Sequence, residues 1–442
     1  MAPQWVAPRE GCPRAHKDIL LPNLEVLSWL DDSFDSETCL RLISPKLKSL
    51  HIIHYYWNDD HAYYAALSEI IYHIAAHRIP LNSFTLEVRE DNRADAMRAI
   101  ARVANKRQES TPGRCFDYNL DTALSYLAES INLFEFASPC CLTDSAFAHL
   151  ARMPTLNILR FLCRGNMKPI QSSGGGFNFP NLRILDLTIE SLTEDIVDFF
   201  ASVQGPSILR LDITIICADP PKSLMHRLLS TMCKAPYHDT LKYLSITVKG
   251  HKDSEPPVER EAFAPLFASP FLNLTNLFLA FPSMDPTDQF LRDLAAAYPK
   301  LEVLSLLRPG SAPRLMVPRA TLDGAHALAV SCRSLTTLAL AFNTGPHLGL
   351  QARWKAAECP NLRSWCVLGS DIEDNAVEDL SRYLAFVFPN LEKLWTKMPT
   401  RDDSDRLLFS RWGDNLSPCG ERHPEHEELI VIVEASVVWL SL

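Results

Sequence analysis

Residues 180–190 have the sequence PNLRILDLTIE, which determines the fold that we predict for the whole chain. Leu182, Leu185 and Leu187 occupy positions 1, 4 and 6 of a six-residue phrase, L-x-x-L-x-L. The apolar–polar alternation up to Thr188 predicts a short strand, because successive side chains of a strand point to opposite faces. Such a strand cannot bury its apolar face alone, so further copies are expected.

The phrase recurs thirteen times along the chain. Copies begin at residues 24, 47, 81, 131, 156, 182, 208, 241, 274, 301, 335, 362 and 391, and Thr396 breaks position 6 of the last copy. Their spacing runs from 23 to 34 residues, with one gap of 50 after residue 81. Leucine-rich repeats have a period of roughly 20–29 residues, so this array is an irregular one.

Between the copies, the apolar residues change to helical spacing. The clearest cases are Ile196, Phe199, Phe200 and Val203, and then Met225, Leu228, Leu229 and Met232. Thr143, Thr193 and Thr287 each precede an acidic residue and a stretch of this kind. A hydroxyl followed by a carboxylate is typical of a helix start, since both satisfy the free N–H groups there.

Alternating strands and helices predict a parallel sheet with right-handed crossovers. We therefore predict an α/β leucine-rich-repeat solenoid of the curved horseshoe form. Strands would line its concave face and helices its convex face. The repeats would span residues 20–398, after an N-terminal cap or flexible segment (1–19) and before a partly flexible tail (399–442).

Four copies of the phrase carry a Pro-Asn-Leu motif. PNLEVL (22–27), PNLRIL (180–185), CPNLRSW (359–365) and PNLEKL (389–394) resemble the leucine-rich regions of F-box proteins, fungal ones especially. The resemblance covers most of the chain. It implies a substrate-recognition subunit of a cullin ubiquitin ligase, in which the repeats hold the substrate and a preceding F-box binds the Skp adaptor.

This chain departs from that family at its N-terminus. Only 21 residues precede Pro22, and none of them resembles an F-box. We expect the F-box to be lost or missing from this chain. Binding to a Skp–cullin complex is therefore expected only if an F-box exists upstream, whereas substrate binding by the repeats remains implied.

Composition excludes several classes of protein. The formal net charge is −10, with 53 acidic and 43 basic residues, so no overall basic surface suggests a nucleic-acid partner. Twelve scattered cysteines form neither a disulfide framework nor a zinc motif. The longest apolar stretch is the tail at 429–442, which is shorter than a membrane span and favours a terminal strand or packed cap over a tail anchor. We expect a monomer in the cytosol or nucleus, off the membrane.

Each stretch that could supply catalytic or metal-binding residues has a simpler structural interpretation. His51, His54, Asp59, Asp60 and His61 run from a strand into a loop, and the tail segment at 421–428 (ERHPEHEE) has the pattern of surface charge. SSGGG at 172–176 lacks phosphate-loop spacing and predicts a flexible loop. Cys359 fits a small buried residue better than a nucleophile. We therefore expect no cofactor, no metal site and no enzymatic activity.

Positions 3, 5 and 7 of each phrase are expected to face the concave surface. Candidate partner-binding residues there are Arg160, Asp186, Arg210, Asp212, Tyr243, Phe278 and Trp395. The four charged residues would lie on neighbouring strands, either neutralising one another or recognising a charged segment. The aromatic pair would be either an interface anchor or a surface covered by a loop or the tail.

Two functions remain open on these grounds. The first is a non-catalytic protein-interaction scaffold, related to the substrate receptors of cullin ligases. The alternative is a leucine-rich-repeat regulator that inhibits or activates an enzyme such as a nuclease or small GTPase. Co-purification with Skp and cullin would favour the first, and inhibition of an enzyme in a purified pair would favour the second.

Overall fold

The computed structural model describes residues 19–30, 36–54, 61–88, 120–138, 142–163, 176–216, 220–249, 260–282, 284–306, 317–344, 359–367, 370, 372 and 377–395. Within these ranges, thirteen strands form one parallel sheet whose spatial order is the order of the chain. The strands are β1 Val26–Leu30, β2 Ser49–His54, β3 Ser83–Val88, β4 Glu135–Ser138, β5 Ile158–Cys163, β6 Ile184–Ile189, β7 Arg210–Ile215, β8 Tyr243–Val248, β9 Asn276–Ala280, β10 Val303–Leu306, β11 Thr337–Leu340, β12 Ser364–Cys366 and β13 Lys393–Trp395.

Among the described residues, helices lie between most consecutive strands, the exceptions being β5–β6 and β11–β12. The helices are α1 Ser36–Leu42, α2 His61–Ala76, α3 Leu120–Ser130, α4 Asp144–Arg152, α5 Glu194–Ser202, α6 Lys222–Met232, α7 Ala264–Ala268, α8 Asp288–Ala297, α9 Leu322–Ser331 and α10 Val377–Val387, with a short 3-10 turn at Arg260–Phe263. Neighbouring helices pack together, as α2 does with α3 and α8 with α9. The predicted α/β class is confirmed, in a solenoid-like arrangement of one parallel sheet with interleaved helices.

The predicted helix faces and caps are largely as observed. Helix α5 buries Phe199 and Phe200, and α6 buries its four predicted apolar residues. The hydroxyl oxygens of Thr143 and Thr287 each accept a hydrogen bond from a backbone N–H in the first turn of α4 and α8, at 3.3 Å. Thr193 occupies the same position before α5, but its side chain makes no capping hydrogen bond.

The two sides of the sheet differ as the phrase predicts. In β6, Leu185 and Leu187 are buried against the helices, whereas Ile184 and Asp186 are partly exposed on the other side. Strands β7 and β8 alternate strictly along their whole length, whereas Thr188 at position 7 of β6 is buried. We call the side that carries positions 3, 5 and 7 the open face. The continuous core lies between the sheet and the helices.

The fourth copy of the phrase begins two residues later than predicted. Glu135 pairs in register with Ser83 and Ile158, which are position-3 residues, so position 1 is Leu133 and not Ile131. The sequence permitted both alignments because Ile131 and Leu133 are apolar, and both are in fact buried. The hydrogen-bonded register decides between them and leaves Phe134 exposed at position 2.

The Pro-Asn-Leu motif has a structural explanation in the turn before each strand. The backbone N–H of Leu391 donates to the carbonyl of Phe388 at 3.0 Å, closing a four-residue turn. Proline suits the second position of such a turn, because its ring fixes φ near the required value. Pro389 and Pro360 occupy this position in the last two described turns.

The asparagine of the motif joins one repeat to the one before. The side-chain amide of Asn390 donates to the carbonyl oxygen of Pro360 at 2.8 Å. Three further asparagines, Asn181, Asn273 and Asn361, make the equivalent bond to the preceding turn at 2.7, 2.7 and 2.8 Å. These bonds form a ladder that fixes the stacking of consecutive turns.

Candidate functional site

The centre of the open face brings together the predicted charged residues. Arg160, Asp186 and Asp212 lie directly opposite one another at position 5 of β5, β6 and β7. Arg210 occupies position 3 of β7 and pairs in register with Tyr243 of β8. Neighbouring strands are about 4.8 Å apart, so all five side chains share one small area of the sheet.

Arg160 forms an ion pair that we did not predict from the sequence. Its Nη1 lies 2.7 Å from Oε1 of Glu135 on β4, and the Ser83 hydroxyl donates to the other carboxylate oxygen at 3.1 Å. Sequence reasoning placed Glu135 on this face, but at position 5 instead of position 3. In that register Glu135 would have lain directly opposite Arg160, which is also at position 5, so the sequence offered a signal for the pair that was not used.

Arg210 lies between a carboxylate and two aromatic rings. Its Nε donates to Oδ2 of Asp212 at 2.6 Å, and its Cζ is 4.3 Å from the ring centroid of Tyr243. The rings of Tyr243 and Phe278 follow, with centroids 5.0 Å apart and planes at 33°. We call Arg210, Tyr243 and Phe278 the Arg210 stack. It spans three strands, and a cation over a ring stabilises such an arrangement by about 0.5–2 kcal/mol.

The electrostatics keep this stack cationic at one end and neutral in the middle. Burial alone would lower the pKa of Arg210, but the charge of Asp212 and its hydrogen bond raise the pKa above its ordinary value. Tyr243 and Asp186 contribute in the same direction. Burial, and then the charge of Asp212, raise the pKa of the Tyr243 phenol well above its usual range. The guanidinium therefore stays charged and the phenol stays protonated at physiological pH.

The stack is accessible among the described residues. The side chains of Arg210 and Asp212 are 24% and 14% exposed, and Tyr243 and Phe278 are also partly exposed. The tail from residue 399, which we considered as a cover for the aromatic pair, lies outside the described residues. Partly exposed aromatic and arginine side chains are the types enriched at protein interfaces.

Trp395 is not brought into this cluster. It lies on β13 opposite Cys366 of β12, four strands beyond the strand that carries Phe278. That separation is roughly 19 Å across the sheet at ordinary strand spacing. Any contribution of Trp395 to partner binding would therefore be separate from that of the Arg210 stack.

The candidate metal ligands and Cys359 can be placed only in part. No group of three or more potential ligands converges within the described ranges. His51 lies on β2 and His61 begins α2, whereas Asp59, Asp60 and the segment 421–428 lie outside the described residues. Cys359 is fully buried, and burial raises the pKa of its thiol, as expected for a core cysteine.

Two further observations concern the cysteines and the helices of the described residues. Five cysteines fall on described side chains and all are free thiols, namely Cys39, Cys233, Cys332, Cys359 and Cys366. In the described part of the chain, no helix combines the length and apolar character needed to cross a membrane.

Comparisons with known proteins give little further information. No family model matches the chain, and no curated protein matches it. A crystal structure of a Bacteroides fragilis protein, a structural genomics target, is similar over 79% of this chain with 15% sequence identity and a TM-score of 0.28. The match covers 65% of that protein's length, which is less than two thirds.

Proposed function

We propose that this protein is a non-catalytic leucine-rich-repeat scaffold that binds a protein partner at the centre of its open face. The observation that carries the proposal is the Arg210 stack, a partly exposed cation–aromatic–aromatic array on the face of the sheet away from the helices. Interfaces concentrate their binding energy in such aromatic and arginine anchors. Because helices are wider than strands, a stack of these repeats curves with the open face on the concave side.

The repeat type is supported by the L-x-x-L-x-L strands and by the asparagine ladder between turns. The resemblance to F-box proteins favours a substrate-recognition subunit of a cullin ubiquitin ligase. The free thiols suit a reducing compartment, so we place the protein in the cytosol or nucleus. In such a receptor, the repeats hold the substrate and a separate module contacts the ligase.

The scaffold proposal is tested by affinity capture from cell lysate with quantitative mass spectrometry. The Arg210→Ala/Tyr243→Ala double variant removes the cation and the middle ring of the stack without touching the core behind the sheet. We expect specific partners of the wild-type protein to be depleted about tenfold or more, since loss of an interface anchor costs ~2 kcal/mol or more. Circular dichroism should show an unchanged fold.

A matched control comes from the helical side. Arg227 on α6 and Tyr126 on α3 are also an exposed arginine and tyrosine, with 51% and 42% exposure. The Arg227→Ala/Tyr126→Ala variant should retain the same partners as the wild type. Equal capture by both double variants would overturn the proposed binding face. Skp and cullin among the captured proteins would support the ligase role.

A further inference from the structure

The last described repeat leaves part of its core uncovered. In the repeat before it, the residues at positions 1 and 4, Leu362 and Trp365, are fully buried. The equivalent residues of the last repeat, Leu391 and Leu394, pack against the same core but remain partly exposed. Apolar surface at the end of a stack of repeats favours a further element that covers it.

Strand β13 also has one backbone edge that no described strand covers. Among the described residues, β13 pairs only with β12, whereas each strand from β2 to β12 pairs on both sides. The outer edge of β13 therefore presents backbone N–H and C=O groups that a further strand can bond. Such edges are usually covered, because an uncovered edge pairs with other chains. The covering segment must have the apolar pattern of a strand.

The side chain of Lys393 sets a further requirement for the covering segment. Lys393 is exposed at position 3 of β13, and no described carboxylate pairs with it. Charged residues at equal positions of adjacent strands do pair in this molecule, as Lys48 with Glu25 at 2.9 Å and Arg363 with Glu392 at 2.8 Å. A covering strand should therefore carry a carboxylate at its own position 3, opposite Lys393.

One segment of this chain meets these requirements. Residues 432–437 have the sequence IVEASV, in which positions 1, 4 and 6 of the phrase are apolar. Position 3 is Glu434 and position 5 is Ser436, so the polar residues fall on the open face. The separation from the thirteenth copy is shorter than the gap after residue 81, and it exceeds the roughly dozen residues that a parallel crossover needs.

The charge of Lys393 selects one alignment of this segment. The phrase also fits the sequence when it begins at Ile430 or at Ala435, but neither alignment places a carboxylate opposite Lys393. The other edge of the sheet, on β1, presents Val26 at position 3 and therefore has no cation for Glu434. Charge complementarity thus favours the edge of β13 and the alignment that begins at Ile432.

We propose that residues 432–437 of this chain add a fourteenth parallel strand to the outer edge of β13, with Glu434 opposite Lys393. This strand covers Leu391 and Leu394, closes the edge of the sheet and extends the open face by one repeat. The proposal goes beyond partner binding and is independent of the Arg210 stack. The competing occupant of the same edge is a strand from a second copy of the chain.

The register is tested by zero-length carbodiimide coupling of the full-length protein. The reagent joins a lysine amine to a carboxylate only where the two groups are in contact. We expect a linked Lys393–Glu434 peptide from the monomer, and its loss in the Lys393→Arg variant, whose guanidinium keeps the charge but does not couple. A link found in covalent dimers alone would assign the edge to a second copy. A monomer without this link would overturn the pairing.

The cap itself is tested by two adjacent substitutions that introduce the same charge. Ala435→Asp puts the carboxylate on the side that faces the core, whereas Ser436→Asp puts it on the open face. We expect amide hydrogen exchange in β13 to be about tenfold faster in the Ala435→Asp variant, because an uncovered terminal strand opens more readily. Strands β6 to β8 should remain protected, which shows that the fold is retained.

The Ser436→Asp variant is the matched control and should exchange as the wild type does. Equal exchange rates in β13 for the two variants would overturn the proposed cap. So would a wild-type protein in which residues 432–437 show no protection from exchange.

Discussion

At the scale of single residues, several buried thiol and phenol groups have a raised pKa. Burial raises the pKa of the Cys233 and Cys332 thiols from 9.0 to about 12. It also raises the pKa of the Tyr237 and Tyr298 phenols well above their usual range. These groups are acids whose neutral form the folded state favours. They are therefore core components, and none is activated as a nucleophile.

These pKa shifts predict a loss of stability at alkaline pH. The unfolded chain releases the protons near pH ~9 for thiols and ~10 for phenols, whereas the folded chain retains them. The free energy of unfolding should be undiminished below about pH 8.5 and fall as the pH rises toward 12. Urea titrations at a series of pH values measure this. A free energy that stays constant from pH ~8.5 to ~11 would contradict the assignment.

A second residue-scale prediction concerns Gly176, the last glycine of the SSGGG stretch. A Cβ built on Gly176 would lie 2.3 Å from the backbone carbonyl oxygen of Ser202, where Phe177 donates a hydrogen bond at 2.7 Å. Gly176→Ala should therefore destabilise the protein by about 1–3 kcal/mol, because backbone must move to relieve the overlap. Gln204→Ala, an exposed change in the same region, is the control for chemical denaturation. Equal midpoints for the two variants would disprove the close approach.

At the scale of elements, hydrogen bonds from one repeat to the next hold the stack in register. Asp288, at the start of α8, accepts hydrogen bonds from both the backbone N–H and the hydroxyl of Thr321 at 2.7 Å. Thr321 is the residue before α9, so one carboxylate connects the starts of two consecutive helices. The asparagine ladder makes a comparable connection at the turns before the strands.

Removing the Asp288 carboxylate should loosen this helix pair. Asp288→Ala leaves the two donors of Thr321 without their acceptor, and hydrogen bonds to a charged group contribute roughly 1.5–3 kcal/mol each. We expect a lower thermal midpoint and faster amide exchange in α9. Arg292→Ala, an exposed substitution on the same helix, should have little effect. Unchanged exchange in α9 of the Asp288→Ala variant would show that the connection is unimportant.

The limits of sequence interpretation lie at this scale. The strand positions followed from the phrase, because its 1-4-6 spacing fits a turn at position 1 followed by a short strand with positions 4 and 6 on one side. The register of β4 did not, because Ile131 and Leu133 satisfy the phrase equally and only the hydrogen-bonded neighbours distinguish them. The Arg160–Glu135 pair could have been predicted, because both alignments keep Glu135 on the open face of the strand next to Arg160. The stacking of Arg210 on Tyr243 depends on rotamers, which spacing alone does not specify.

At the scale of the whole molecule, each strand pairs only with its sequence neighbours. Stability in such an array is close to a sum of repeat terms and nearest-neighbour terms. Trp365 on β12 is fully buried and packs against Phe342 and Phe388, with ring centroids 5.3 and 5.2 Å away. This side chain therefore connects the last described repeats to the rest of the sheet.

Trp365→Ala should destabilise the C-terminal end of the array more than the centre. Truncating a buried tryptophan costs about 3–5 kcal/mol, and in a linear array the effect is largest in the adjacent repeats. Hydrogen exchange should quicken first in α10 and in β11 to β13, while β6 to β8 remain protected. Uniform loss of protection along the whole sheet would show that the molecule unfolds as one cooperative unit instead.

The central claim is that a protein partner contacts the Arg210 stack at the centre of the open face. The most direct test places a photo-crosslinking amino acid at Phe278, and in a parallel protein at Tyr126 on the helical side. We predict that the Phe278 position crosslinks to the partners whose capture depends on Arg210 and Tyr243, and that the Tyr126 position does not. Crosslinking of those partners from Tyr126 but not from Phe278 would contradict the account.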